Sequence, residues 1–165
     1  MQFIFALLAT SIAAVSAAPH GYDHHPANTI SNYTAETNYQ PKTIKVIVGG
    51  PNDLTYKPPF VTANAHDIIE FEFRELNHTA TESDFATPCV SNGRFDTGFV
   101  PNLENVPGIV RSYVVPDEKP HWFYCRQGNH CGMGMVFAVN PPKKGKTFEA
   151  FREKAIEDFG MMNMD

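Results

Sequence analysis

From Lys42 onward the chain carries short runs in which apolar and polar positions alternate with a period of two, the pattern of strands with one buried face. Ile44, Val46 and Val48 mark the first, stopped by Gly49-Gly50-Pro51. A second runs from Tyr56 to Ala63, where Pro58-Pro59 confines it to an edge or a bulge. Ile68 to Leu76 is the clearest strand: Ile69, Phe71 and Phe73 share one face, Glu70, Glu72 and Arg74 the other. Val110 to Val115 and His121 to Cys125 follow, split by the turn Pro116-Asp117-Glu118-Lys119-Pro120. Met135 to Val139 is the last, stopped by Asn140-Pro141-Pro142. The stretch Thr79 to Gly108 is less regular and is expected to wander between sheets. Many short strands divided by Pro/Gly turns predict an all-β chain folded as a β-sandwich.

Beyond the stiff, basic link Pro141 to Lys146 the period changes. Phe148, Phe151, Ala155 and Phe159 recur at helical spacing, which predicts a short amphipathic helix over Thr147 to Phe159. Its apolar stripe is expected to dock on the sandwich; a partner or membrane face is the alternative use of such a stripe. No internal repeat and no Gly-rich phosphate loop interrupts the pattern.

The N-terminal end reads differently. Phe3-Ile-Phe-Ala-Leu-Leu-Ala followed by small residues through Ala17 has the form of a secretory signal, with cleavage expected after Ala17. Residues 18–40 are rich in His, Pro, Asn, Thr and Tyr without apolar period and read as a flexible arm, in which Asn32-Tyr33-Thr34 is a glycosylation sequon. The domain proper is expected over 41–142, and 143–165 forms a linker, the helix and a tail. The segment Phe159 to Asp165 is too short and polar for a lipid-anchor signal, and no other stretch approaches the ~20 apolar residues of a membrane span. A secreted, extracellular, monomeric protein is the expectation.

Composition narrows the function. With 165 residues and 42% hydrophobic positions the chain can bury a core of ordinary size, and its formal charge of -5 argues against a nucleic-acid binder. Seven histidines stand beside three cysteines, Cys89, Cys125 and Cys131. Outside the cell two cysteines can pair and one is left over, a liability unless a metal uses it.

The informative segment runs Trp122-Phe-Tyr-Cys125-Arg-Gln-Gly-Asn-His130-Cys131-Gly-Met-Gly-Met135. Four residues separate Cys125 from His130, and four separate His130 from Met135. Thiolate, imidazole and a weak thioether are the donors of a blue-copper electron-transfer site, which needs a second imidazole; His78, at the end of the clearest strand, offers one. If Cys125 goes to copper, Cys89 and Cys131 remain to pair. Pairing of Cys125 with Cys131, without metal, is the competing reading, and it strands Cys89. Met133 competes with Met135 for the thioether role, and the spacing favours Met135.

The combination of Phe71-Glu-Phe, Asn77-His78-Thr79, Phe85-Ala-Thr-Pro-Cys89, Gly98-Phe99-Val-Pro101 and Trp122 through Asn140-Pro141 resembles the cupredoxins, most closely the secreted fungal cupredoxin-like proteins related to phytocyanins. The resemblance covers about Lys42 to Pro142 and implies a cupredoxin-like Greek-key β-sandwich. It implies one type 1 copper ion held by His78, Cys125 and His130 with Met135 axial, and a Cys89–Cys131 disulfide. Asn77, although it completes a second sequon with Thr79, is expected to steady the ligand loop by a hydrogen bond, and Phe123 to keep water from the sulfur. One departure is Ala65-His66-Asp67, where many relatives have Gly before Asp; a different turn is expected there.

Other histidines read more plainly. His121 shares the strand face of Cys125 and is expected to be a strand-start residue; His66 is expected to be exposed. His20, His24 and His25 crowd the N-terminal arm, where a labile second copper site competes with an unstructured polar segment. Met161, Met162 and Met164 form a thioether tail that reads as a frayed end. The leading function is one-electron transfer at the cell surface with an unknown redox partner, using the edge of His130. No substrate position is left open around the metal, so no enzyme activity is expected. The alternative is non-redox extracellular copper binding, sequestration or an effector role. A copper oxygenase with an N-terminal histidine brace would require His20 to become the first residue.

Overall fold

The computed structural model describes residues 39–160. The signal sequence, the histidine-rich arm with His20, His24 and His25, the Asn32 sequon and the methionine tail lie outside the described residues. Ten strands and one helix follow in order: β1 (Thr43–Val48), β2 (Tyr56–Lys57), β3 (Phe60–Val61), β4 (Ile68–Phe73), β5 (Leu76–His78), β6 (Thr81–Ser83), β7 (Val100–Asn102), β8 (Val110–Val114), β9 (His121–Tyr124), β10 (Val136–Val139) and α1 (Phe148–Phe159).

Two four-stranded sheets, ordered β2-β1-β4-β8 and β3-β10-β9-β6, face each other, and β5 pairs with β7 in a small third sheet. The parallel pairing of β1 with β4, from Thr43 opposite Ile68 to Val48 opposite Phe73, gives the crossed connectivity of a Greek-key sandwich. Val46 and Val48 on β1, Ile69, Phe71 and Phe73 on β4, and Phe123, Phe137 and Val139 from the opposite sheet fill one apolar core. The alternation read on β4 holds, with a qualification for its polar face. Glu72 is buried there, paired with Lys45 at 2.9 Å and with Arg74, and accepts the Gly108 N–H at 3.0 Å.

Three expectations are corrected. The run Tyr56 to Ala63 is not one strand: β2 pairs with β1 in the first sheet, and β3 pairs with β10 in the second. Pro58-Pro59 lies between them, where the chain leaves one sheet for the other, because proline cannot donate to a ladder. The strand expected over Ile68 to Leu76 stops at Phe73, and Leu76, at φ 71°, redirects the chain into β5. The buried Asn102 side chain holds this bend, donating to the Phe73 and Val106 carbonyls at 2.9 and 2.8 Å. At Ala65-His66-Asp67 the turn is one that glycine favours, and His66 itself adopts it at φ 72°. Its N–H bonds Val115, while the buried Asp67 carboxylate accepts the N–H groups of Asn64 and Lys42 at 2.9 and 2.8 Å.

Every residue of β9 and β10 is buried, because the sheet they share is covered on both sides. Inward residues such as Phe123 and Phe137 enter the sandwich core. The outward ones, Trp122, Tyr124, Val136 and Ala138, form a second cluster with Phe148, Phe151 and Ala155 of α1. Thr147 caps the helix by accepting the Ala150 N–H at 3.1 Å. Trp122 and Phe151 pack with ring centroids 4.8 Å apart and planes tilted by 41°. Burying each phenylalanine contributes roughly 1.5–3 kcal/mol, so the docked stripe outweighs the cost of ordering a short helix that is marginal alone.

Candidate metal centre

β9 and β10 run antiparallel with Tyr124 opposite Val136, so the loop joining them, residues 125–135, lies at one end of the sandwich. Its own hydrogen bonds fold it tightly. Cys125 N–H donates to Met135 O at 3.1 Å, Met135 N–H to His130 O at 2.9 Å, and His130 N–H to Gln127 O at 3.0 Å. The bend at Leu76 brings β5 to the same end, with His78 opposite Val100 of β7.

Here Cys125 Sγ lies 3.7 Å from His78 Nδ1 and 3.5 Å from His130 Nδ1. The two imidazole centroids are 5.1 Å apart. His78, Cys125 and Met135 are fully buried, and Met135 joins the same apolar cluster as the sulfur; His130 alone of the four is partly exposed. Cys125 is the free cysteine, and Cys89 pairs with Cys131 across 42 residues, so the reading that joined Cys125 to Cys131 is excluded.

The donors fit a single metal ion. An imidazole nitrogen at about 2.0 Å and a thiolate at about 2.3 Å from one ion, subtending roughly 110–120°, stand about 3.5–3.7 Å apart. Both nitrogen–sulfur separations fall in that range. Among the described residues no carboxylate joins the group of His78, Cys125 and His130. Two imidazoles and one thiolate, with a buried thioether as the neighbour, match copper better than the four strong donors of structural zinc.

The surroundings hold both imidazoles in the state a metal requires. Burial pushes the His78 pKa down to about 4, helped by the neighbouring His130, and burial also lowers that of His130. Each ring is therefore neutral near pH 7, with a lone pair free. Burial raises the Cys125 pKa, while hydrogen bonds from the Thr79 and Gln127 backbone work against that rise. A metal ion takes the place of the proton when the thiol becomes a ligand.

Neighbouring side chains fix the two ligand segments to each other. Asn77 Nδ2 donates to Gln127 Oε1 at 3.1 Å, linking β5 to the loop. Phe123 is fully buried and packs on Phe71, Tyr113 and Phe137 at centroid distances of 5.8, 5.0 and 5.7 Å, forming a dry wall in the cluster that holds Cys125. Two contributors escape a sequence reading. Thr79 Oγ1 accepts the Arg126 N–H at 2.9 Å and bonds Thr81 Oγ1 at 2.8 Å, locking the residue after Cys125 to the residue after His78. Gly49, which reads as a strand terminator, packs its backbone against the His78 ring.

His121 is more than a strand-start residue. It is buried, with Nδ1 3.2 Å from Glu82 Oε1 and Nε2 3.1 Å from Asp117 Oδ1, away from the cysteine. Arg94 Nε shares the Glu82 oxygen at 2.9 Å. His66 is exposed, as expected.

No protein-family model matches the chain. Over 114 residues it is 32% identical to Probable GPI-anchored cupredoxin-1 of Arthroderma benhamiae, which covers 69% of this chain and 59% of that one. It is 28% identical over 116 residues to the Extracellular serine-rich protein of the same fungus, with 69% and 45% covered. The chain thus spans about half the length of the curated relatives it matches. Similar solved structures include auracyanin from Roseiflexus castenholzii, at TM-score 0.44 and 16% identity over 59% of this chain and 94% of that one. Plastocyanin from Dryopteris crassirhizoma gives TM-score 0.45 and 20% identity over 58% and 97%. A Greek-key sandwich, an unpaired buried thiol facing two imidazoles, and the identity to a named cupredoxin lead to one conclusion: the chain belongs to the cupredoxins.

Proposed function

We propose that this chain is a secreted type 1 copper protein that passes single electrons at the cell surface. His78, Cys125 and His130 are the strong donors and Met135 is the axial thioether. The observation that carries the reading is the convergence of three donor residues, the buried His78 and Cys125 and the partly exposed His130, with ligand atoms all within 4.8 Å of one another, from two separated segments. Copper bound there would supply a reversible one-electron change, with soft sulfur favouring Cu(I) and imidazole serving both oxidation states.

The protein's own part is to resist rearrangement. Backbone groups of Thr79 and Gln127 hold the sulfur, the Asn77–Gln127 bond ties the ligand segments, and Phe123 keeps solvent out. His130 is the donor that solvent reaches, so its ring edge is where a partner approaches. Exposed apolar side chains occur on the ligand loop, at Met133, and just before the β7 residue that pairs with His78, at Phe99, whose ring lies 5.1 Å from the Arg126 guanidinium. Such a surface allows close, short-lived contact with another redox protein.

The test is the absorption and paramagnetic-resonance spectrum of the copper-loaded protein beside that of Cys125→Ser. An intense thiolate-to-copper band that cycles reversibly and vanishes in the variant is the expected result. Identical spectra would overturn the ligand assignment, and a colourless protein with tight Cu(I) binding would move the function to copper sequestration.

A further inference from the structure

We infer that α1 is a clamp on the ligand loop and that Arg152 and Ile156 are positioning residues for His130 and Met135. The inference rests on the reading of those two residues as copper donors and adds a helix that no ligand pattern contains.

The last two turns of α1 meet the loop on both sides of His130. Before it, Asn129 Nδ2 donates to the Gly160 carbonyl at 3.4 Å. After it, the backbone of Gly132 lies so close to the helix end that an added Cβ would stand 2.5 Å from the Phe159 carbonyl oxygen. Gly134 sits at φ 89°, and a Cβ there would fall 2.9 Å from Arg152 Nε and 3.2 Å from Ile156 Cδ1. Both glycines thus let the helix touch loop backbone directly. The touched segment, 129–134, spans the gap between two proposed ligands. It also contains Cys131, which the disulfide ties to Cys89 and which packs in the cluster under α1.

The loop needs such an outside support. Beside it, a solvent-open cleft of about 300 Å³ is lined by Tyr124, Cys125, Asn129, Gly132 and Phe159, so this flank of the loop faces open space. Its internal bonds from Gly134 N–H to Cys131 O, at 2.8 Å, and from Met135 N–H to His130 O, at 2.9 Å, are short-range turns. Turns of this kind open locally unless packing opposes it. Arg152 and Ile156 supply that packing from one side. Both are exposed, so shortening them leaves the buried stripe of Phe148, Phe151 and Ala155 docked.

The test pairs Arg152→Ala/Ile156→Ala with the conservative Arg152→Lys/Ile156→Val, and uses Phe60→Ala as a control. Phe60 packs on Phe148 with ring centroids 5.5 Å apart, at the opposite end of the helix. Amide hydrogen exchange at Gly134 and Met135 is measured in the copper-free protein. In the copper-loaded protein the thiolate-to-copper band, the reduction potential and the rate of copper release to a chelator are measured. The alanine pair is expected to speed exchange at both amides about tenfold, shift the band and potential, and release copper about tenfold faster. The conservative pair should restore all four readings, and Phe60→Ala should lower only the melting temperature. Wild-type exchange, band, potential and release in the alanine pair would overturn the clamp. If the double variant does not fold, Ile156→Ser alone is held to the same criteria. Wild-type protein that forms no thiolate-dependent copper band would sink the ligand reading instead, while copper-free exchange would still decide whether the helix restrains the loop.

Discussion

The backbone of Gly49 lies against the imidazole of His78 on its Nε2 side, opposite the Nδ1 that faces Cys125. A Cβ on Gly49 would overlap Nε2 and Cδ2 and stand only 3.1 Å from Cε1, and the residue sits at φ 74°. The Gly49 N–H is held by the Thr55 carbonyl at 2.9 Å, so the backbone has no easy way to retreat. Glycine is required here twice, once for conformation and once for room.

Gly49→Ala is therefore expected to act on the metal centre before it acts on the fold. The left-handed conformation costs about 1–2 kcal/mol for a residue with a Cβ, and overpacking adds about 1–3 kcal/mol. Denaturant unfolding of the copper-free variant should show a loss of about 2–5 kcal/mol from those two sources together. Because the ring is the softer partner, His78 should be displaced. Copper titration should then give a weaker thiolate-dependent band at equal copper loading. A wild-type band would show that His78 tolerates the shift.

The His121 cluster sets a separate pH dependence. Its pKa is raised, first by the hydrogen bond to Glu82, against the opposing effect of burial, with Asp117 adding to the rise. Arg94 faces the same Glu82 oxygen from the following loop, and the ring of Tyr113 covers His121 with centroids 6.0 Å apart. A pKa raised on folding gives stability that is complete below the unfolded value of about 6.5 and is lost as pH climbs through the folded value. His78 and His130 shift the other way, so their contribution is lost as pH falls below about 6.5; this leaves the window from about 6.5 to 8 to His121, above which the raised Cys125 thiol adds a loss of the same sign. The urea midpoint of the copper-free protein should fall as pH rises from about 6.5 to 8. In His121→Gln that slope should flatten.

Much of this centre was readable in the chain because its chemistry is local. Cys125, His130 and Met135 share one loop, and their residue types and spacing suggest the proposed donor set without any tertiary information. The β4 alternation and the Phe148, Phe151, Ala155 stripe were readable because each element buries one face. What stayed hidden depends on backbone meeting backbone. The change of sheet at Pro58-Pro59 looks like a continuous strand until the partners of β2 and β3 are known. Gly49 and Thr79 act through contacts with His78 and Arg126, at sequence separations that no periodicity reports. His121 has the parity of a core position, and only Glu82 and Asp117 reveal why an ionisable ring is accommodated there.

The disulfide links stability to the centre. It closes a loop with a sequence separation of 42, and Cys131 follows His130 directly. Loop-closure entropy for that length corresponds to about 4 kcal/mol in the unfolded chain. Cys89→Ala/Cys131→Ala avoids a stray thiol that could compete with Cys125. Guanidinium unfolding should place it about 2–5 kcal/mol below wild type. Copper should also leave faster, because residues 129–134 lose one of their two anchors. Loss of stability with an unchanged copper off-rate would separate the crosslink from the ligand loop.

Two methionines compete for the axial place, and their burial separates them. Met133 is 58% exposed, whereas Met135 is fully buried in the cluster that contains Cys125. Met135 also belongs to the frame of the site through its backbone, accepting from Cys125 and donating to His130. A neutral, soft thioether favours Cu(I), and a glutamine oxygen favours it less. Met135→Gln should therefore lower the reduction potential measured by protein-film voltammetry, with the thiolate band retained but shifted. Met133→Gln should leave both close to wild type, since its side chain faces solvent. A drop in potential confined to Met133→Gln would transfer the axial role to that residue.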